Sequence, residues 1–436
     1  MLKIKLISLA LIAAVLLAGC NLPIAASPTP VSESATLTPS PSATTVTIVP
    51  TNTLPPASPV PPTETISAPT STSIPSQPVT IDQIRMLTAS DGWGWASTNG
   101  EMTQLLRTMD GGVSWTNASP QENYTYYGSF FLDSNLAWLP YYDSATSKGG
   151  ILRTSDGGKT WESLPNSENL QNAWFEFKSA NDGLAETAGM GAGNAYLNYY
   201  KTADGGLTWS VVDLVPPKTE EGLPPGTVHL CNICGDNLYF DGVRTIIIYG
   251  DMASEPTGKV RIAVSSNLGK DWKNLELALP EKYRTGQVAP ISPTFFDSDG
   301  ILPINVVQYN PDGTTGFSIL LLYATHDGGL TWQELPGVVD GVSWQAANVQ
   351  VLTMNNILTR CGANLCASSD GAKSWQILPG KLNFDLNGGA ADGVTQFDFA
   401  DPSNGWAITG QSGASILWNT TDGGQSWKKV APHLLP

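Results

Sequence analysis

Charge is scarce in this 436-residue chain: only 14% of positions are Asp, Glu, Lys or Arg, and 22 basic residues face 38 acidic ones, for a net charge of −16. A nucleic-acid binder follows phosphates with a basic stripe, so that class of partner is excluded. No segment sustains an i, i+3, i+4 apolar pattern, which excludes a helix-rich or helical-repeat fold. Histidine occurs only as His229, His326 and His433, far apart, and no Walker loop, HExxH or GxSxG stands out, so neither a metal nor a cofactor is expected. Abundance lies in 43 Gly, 32 Pro and 14 Trp. Trp spread evenly among many glycines is typical of repeated small β-sheets.

Lys3 and Lys5 precede an apolar run of 12 residues from Leu6 to Leu17. That is the core of a signal peptide, too short to span a bilayer stably. It closes on Leu17-Ala18-Gly19-Cys20, which resembles the lipobox of bacterial lipoproteins. The resemblance implies cleavage before Cys20, a diacylglycerol on its thiol, and localisation in the cell envelope on the extracytoplasmic face of a bacterial membrane. One acyl chain binds a membrane marginally, whereas two or three anchor a protein durably. From Asn21 to Thr80 the chain holds 14 Pro, 23 Ser or Thr, and only Glu33 and Glu64 as charges. Such a composition cannot bury a core and reads as a disordered tether or an O-glycosylated stalk. The expected organisation is a lipoprotein signal peptide over 1–19, the lipidated Cys20 with its linker over 20–80, and a folded domain over 81–436.

Within that domain one pattern recurs seven times, starting at Thr108, Thr154, Thr202, Ser265, Thr325, Ser368 and Thr420. Each copy places an acidic or amide residue two positions on and a Trp seven positions on: Asp110 and Trp115, Asp156 and Trp161, Asp204 and Trp209, Asn267 and Trp272, Asp327 and Trp332, Asp370 and Trp375, Asp422 and Trp427. The physics accounts for the spelling. The hydroxyl and the carboxylate accept from backbone N–H groups of a tight turn, glycine supplies positive φ, and Trp closes a small apolar cluster as the next strand starts. The fourth copy has Asn267 for Asp and Asp271 for the hydroxyl residue, so a looser turn is expected there. The pattern is similar to the bacterial neuraminidase repeat, or Asp-box.

A second turn signal precedes each box by about 17–30 residues, as in Ser90-Asp91-Gly92-Trp93 and Ser403-Asn404-Gly405-Trp406. Two turns per unit imply about four strands, and four-stranded units set around a ring are the blades of a β-propeller. The expectation is all-β: a single seven-bladed propeller of four-stranded antiparallel blades, near 81–120, 121–166, 167–214, 227–280, 281–337, 338–381 and 382–433. A β-solenoid has much shorter coils than these 43–63-residue periods.

Four cysteines remain besides Cys20, and their close pairs, Cys231 with Cys234 and Cys361 with Cys366, suggest two local disulfides in an exported chain. The alternatives are a redox CxxC or a zinc site shared by both pairs with His229 as a spare ligand; the pairs lie in non-adjacent blades, which favours structural bridges. Catalytic residues are not legible. A sialidase needs three arginines that clamp a carboxylate, a Tyr nucleophile beside a Glu, and an Asp. Only Arg85, Arg107, Arg153, Arg244, Arg261, Arg284 and Arg360 are available, and Arg107 and Arg153 hold equivalent strand positions in successive repeats. Xyloglucan-cleaving glycosidases work in a cleft between two propellers, and here there is one. Across the whole chain the boxed blades and the leader resemble the photosystem II assembly and stability factor family and, more distantly, the sortilin propeller. That resemblance implies a non-catalytic binding scaffold for a protein or glycan partner, with a glycoside hydrolase as the alternative. The arginine-rich patch of that family is absent here. Contacts are expected on the face opposite the boxes, in the inserts 216–227, 253–258 and 311–316, with Tyr124, Tyr126, Tyr127, Tyr141, Tyr142, Tyr199 and Tyr200 as candidate aromatics.

Overall fold

The computed structural model describes residues 77–436 except 99–100, 122–123, 126, 144–147, 166, 168–169, 192–193, 218–225, 232–235, 254, 343–348, 386–392 and 411–413. The leader, Cys20, the tether up to residue 76, Tyr126 and Cys234 lie outside the described residues.

The chain forms a seven-bladed β-propeller, each blade built on four antiparallel strands taken in sequence order from the inside outwards. Blade 4 shows the plan plainly, with Asn237–Phe240, Thr245–Tyr249, Lys259–Ser265 and Lys273–Ala278 paired in that order. Side chains alternate along the strands, so both faces of a blade carry apolar rows; Asn194–Thr202 begins half-buried, buried, half-buried, buried along its length. The core is accordingly a ring of seven clusters, one at each junction between successive blades. Trp138 of blade 2, for example, stacks on Phe177 of blade 3 at 3.6 Å between ring centroids. No blade covers its own faces, which is why the repeat has to close into one body.

The turns between third and fourth strands share one bonding scheme. In the second copy, Thr154 Oγ1 accepts from Gly158 N at 2.9 Å, Asp156 Oδ1 accepts from Thr160 N at 2.9 Å, and Thr160 Oγ1 donates to Asp156 Oδ2 at 2.6 Å. Both glycines of that turn have positive φ, 76° and 82°. The fourth copy is bonded as closely as the rest. Asn267 Oδ1 accepts from Asp271 N at 3.0 Å, and its Nδ2 donates to Asp271 Oδ2 at 2.9 Å, so exchanging the two side-chain types reverses one donor and keeps the ring of bonds. The cost appears instead in the backbone, where Leu268 takes φ 60° at a position that other copies give to glycine.

The ring closes in two layers. At the outer edge of blade 1 the C-terminal strand His433–Leu434 lies parallel to Ser114–Trp115, and Gln77–Pro78 adds antiparallel to it. Among the described residues, pairing of the propeller therefore starts at Gln77, inside the stretch whose composition reads as linker. At the inner edge, Gln396 and Asp398 of blade 7 bond Ile84, Arg85 and Met86 of blade 1.

Candidate functional site

All seven arginines are described, and each sits on its own element with its own partners. Arg85 pairs with Asp398 at 3.2 Å. Arg153 Nη1 donates to Gly205 O at 3.2 Å, the same carbonyl that receives Trp138 Nε1 at 2.9 Å, so both residues of blade 2 hold the boxed turn of blade 3. Arg107 likewise lies against Gly157 in the turn of the next blade. Arg244 grips Asp241 through Nε and Nη2 at 3.1 and 2.9 Å and lies 4.0 Å over the Phe295 ring. Arg261 lies over the Tyr249 ring, and Arg284 Nε donates to Leu279 O. Arg360 is buried and bonds the carbonyls of Phe384 and Val394. No three of these guanidinium groups converge on one point, as a carboxylate clamp requires.

The tyrosines and carboxylates are placed for structure as well. Tyr239 has Glu176, Asp241 and Arg244 within electrostatic reach, yet burial first and then Asp241 push its phenol well up, the opposite of what a nucleophile needs. Burial also raises Glu176, with Lys178 opposing. Tyr199, a surface candidate by sequence, is only 4% exposed and donates to Glu186 Oε2 at 2.7 Å directly across the sheet of blade 3. Tyr127 and Tyr142 do stand exposed, on blade 2. His326 pairs with Asp299 at 2.8 Å on the exposed turn side of blade 5. Among the described residues no group of three or more His, Cys, Asp or Glu could hold a metal ion.

Cys361 and Cys366 form a disulfide with Cα atoms 5.8 Å apart. The strands Ile357–Cys361 and Asn364–Ser368 leave only Gly362 and Ala363 as the turn, with Gly362 at φ 59°. Cys361 thus faces Asn364, and Cys366 faces Thr359; the bridge runs diagonally on one face of the hairpin rather than between facing positions. Cys231 is disulfide-bonded too. As disulfide sulfurs, Cys231, Cys361 and Cys366 supply no thiolates to a metal.

What varies around the ring is the rim opposite the boxed turns. There the hairpins of second and third strands project, and their lengths differ. Blade 6 has five-residue strands, blade 3 nine-residue strands (Gly183–Gly191 and Asn194–Thr202), and blade 5 eleven-residue strands (Asp299–Tyr309 and Thr315–Thr325). Each long hairpin recruits a second outer strand, Val228–Cys231 in blade 3 and Val339–Asp340 in blade 5. Between them the blade 4 insert is pinned by Asp251 Oδ2, which accepts from Thr257 N at 2.8 Å and Thr257 Oγ1 at 2.7 Å. Tyr309, at the end of the blade 5 hairpin beside a bulge, is 41% exposed. Sequence reasoning marked the inserts but not the lengthened strands that carry them, since strand ends have weak local signatures.

No family model matches the chain, and no curated protein matches it. Among solved structures it is similar to YCF48 bound to a D1 peptide, at 17% identity over 80% of this chain and 95% of that one, with a TM-score of 0.43. It is also similar to a GH74 xyloglucanase from Xanthomonas campestris, at 13% identity over 81% of this chain and 55% of that one, with a TM-score of 0.45. A third is the β-propeller domain of the Trilobed protease from Pyrococcus furiosus, at 7% identity over 81% of this chain and 98% of that one, with a TM-score of 0.44. At these identities the likeness is one of fold alone, and the chain stands as a seven-bladed β-propeller.

Proposed function

We propose that the protein is an extracytoplasmic bacterial lipoprotein, anchored through Cys20, whose propeller is a non-catalytic scaffold that binds a protein or glycan partner on the face opposite the boxed turns. The observation that carries this reading is the division of labour in the fold. Arginines and turn carboxylates, the groups a glycosidase would need, hold blades and turns together, while the opposite rim differs from blade to blade in hairpin length and insert. On repeat scaffolds such unequal loops are where contacts with partners are made. The Pro- and Ser/Thr-rich composition from Asn21 onward suits a tether between a membrane anchor and the domain.

Two experiments test it. Cys20→Ala should move the protein from the membrane fraction to the soluble fraction, and continued retention would refute lipidation. Crosslinking on intact cells from a photoreactive residue at position 309 should capture a partner that the same residue at position 377, on the outer edge of blade 6, does not. Equal capture from both positions would remove the rim as the binding face. Turnover of chromogenic glycosides by the purified protein would overturn the non-catalytic reading in favour of a hydrolase.

A further inference from the structure

At three junctions an arginine of one blade lies against the first glycine of the next blade's boxed turn. Arg107 Nη1 stands 2.5 Å from a Cβ built on Gly157, Arg153 Nη1 2.6 Å from one on Gly205, and Arg244 Nη1 2.9 Å from one on Gly328. Arg107 and Arg153 share one register position, opposite the second residue of the second strand and just before the boxed hydroxyl residue. Arg244 stands just before the second strand of blade 4 begins. At the junction of blades 6 and 7 these two positions hold Ala367 and Asn356. A Cβ on Gly423, the corresponding glycine of blade 7, meets only Pro402 of its own blade within 4 Å. Elsewhere around the ring the glycine is covered differently: the Trp406 ring stands over Gly111, and Asn355 Oδ1 lies beside Gly371.

Where those junctions hold a guanidinium, the junction of blades 6 and 7 has a cavity of about 210 Å³. Leu352, Ile357 and Leu358 give it an apolar lining, and Gln376, Gln425 and Gly423 a polar one. Asp422 is the one charged residue that lines it. The carboxylate is fixed in the boxed turn by Thr420 Oγ1, Ser426 N and Ser426 Oγ. Gln376 faces Ala367 across the strands as Glu162 faces Arg153, and there Glu162 Oε1 lies 2.9 Å from Arg153 Nε. The carbonyl of Gly423 corresponds to that of Gly205, which receives Arg153 Nη1 at 3.2 Å. Blades 6 and 7 thus repeat the acceptors that serve Arg153, with alanine at the position of the cation.

We propose that this cavity is a docking site for an arginine side chain of a protein partner, which takes there the place that Arg107, Arg153 and Arg244 take within the chain. The apolar lining covers the methylene stem, and the amide and carbonyl oxygens meet the planar fork. Asp422 at the site, and a net charge of −16 over the chain, favour a basic partner. Free arginine brings an α-carboxylate for which the lining offers no cation, so the guest is a residue within a chain. The cavity reaches solvent beside Ser369, Ser374 and Gln425, exposed residues of the boxed turns. It is therefore a second site, independent of the opposite rim.

The test is saturation-transfer NMR on the purified protein with a capped pentapeptide that carries one arginine among glycines. The same peptide with citrulline, which keeps the shape and loses the charge, should bind about tenfold more weakly. Ala367→Arg supplies the guanidinium from the chain itself and should abolish peptide binding without lowering the melting temperature. Two substitutions at the exposed position 376 decide the matter even where Ala367→Arg does not fold. Gln376→Glu installs the carboxylate that Glu162 provides in blade 2 and should tighten peptide binding about threefold, and Gln376→Leu should weaken it by a similar factor. No binding of the arginine peptide, equal affinity for the citrulline peptide, binding that survives in folded Ala367→Arg, or affinity unchanged by both substitutions at 376 overturns the site. Free arginine that binds more tightly than the peptide also overturns it, in favour of an amino-acid pocket.

Discussion

Asp398 accepts from the guanidinium of Arg85 at 3.2 Å although 313 positions separate them in the chain. The same carboxylate accepts from Met86 N at 2.6 Å and lies 3.4 Å from Gln350 Nε2, so one side chain ties the inner strands of blades 6, 7 and 1. Its side chain is only 2% exposed. Asp398→Ala leaves the buried Met86 N–H without its acceptor and removes the ion pair with Arg85, and should cost about 3 kcal/mol in urea unfolding. A loss below about 1 kcal/mol would mean that apolar packing alone closes the ring.

The outer closure predicts a sharp dependence on where the chain starts. Ile81 is 1% exposed and Val79 packs on the same cluster between blades 7 and 1, while Val79 N donates to Pro432 O at 3.1 Å. A protein beginning at Ser76 should melt like the longer chain. One beginning at Asp82 loses the Gln77–Pro78 strand and a buried isoleucine, and should be less stable by at least about 3 kcal/mol. Calorimetry of the two proteins decides it, and equal melting temperatures would show that the strand Gln77–Pro78 is dispensable.

Titration of two kinds of carboxylate should act in opposite directions. Asp156, Asp204, Asp370 and Asp422 sit at about 2, chiefly through the side-chain hydroxyl and backbone N–H four residues on, against 3.8 in an unperturbed chain. Their folded pKa is depressed, so their stabilisation is complete above about pH 4 and disappears as pH falls towards 2. Glu186 is raised above 4.5 by burial, so its contribution is full below that value and fades as pH rises. Glu186→Gln keeps an acceptor for Tyr199 and removes the charge. Its urea midpoint should match the wild type at pH 4 and exceed it at pH 8; a lower midpoint at pH 8 would contradict the assigned direction.

Two glycines with the same φ sign should respond unequally to a methyl group. At Gly269, φ 77°, a Cβ would fall 1.8 Å from Val215 O, the carbonyl that also receives Trp272 Nε1 at 3.0 Å. At Gly313, φ 84°, nothing lies within 4 Å. Gly313→Ala should cost about 1 kcal/mol through backbone strain alone. Gly269→Ala should cost several times more, since the outer strand of blade 4 must move off the segment that leads into it. Similar losses would show that strain, not contact, governs both.

Residues that bond within their own turn were legible in the sequence. Thr154, Asp156 and Thr160 satisfy one another inside seven positions, so spelling and geometry coincide, and the same holds for the hairpin that carries Cys361 and Cys366. Legibility failed where a side chain's role depends on a distant neighbour. Tyr199 reads as a surface aromatic, yet Glu186 across the sheet and Phe240 of the next blade cover it. Asn267 reads as a defect, yet Asp271 supplies the complementary acceptor.

Number of blades, sense of the turns and position of the local disulfide at Cys361 were thus decided by the amino-acid sequence, through interactions spanning a handful of residues that repeat seven times. Tertiary structure alone decided where the ring closes, which arginines act as clamps, and which rim stands taller. Those features rest on contacts between residues tens to hundreds of positions apart, and a periodic sequence makes every blade look equally able to supply them. Only when the seventh blade meets the first does Asp398 acquire Arg85 as its partner.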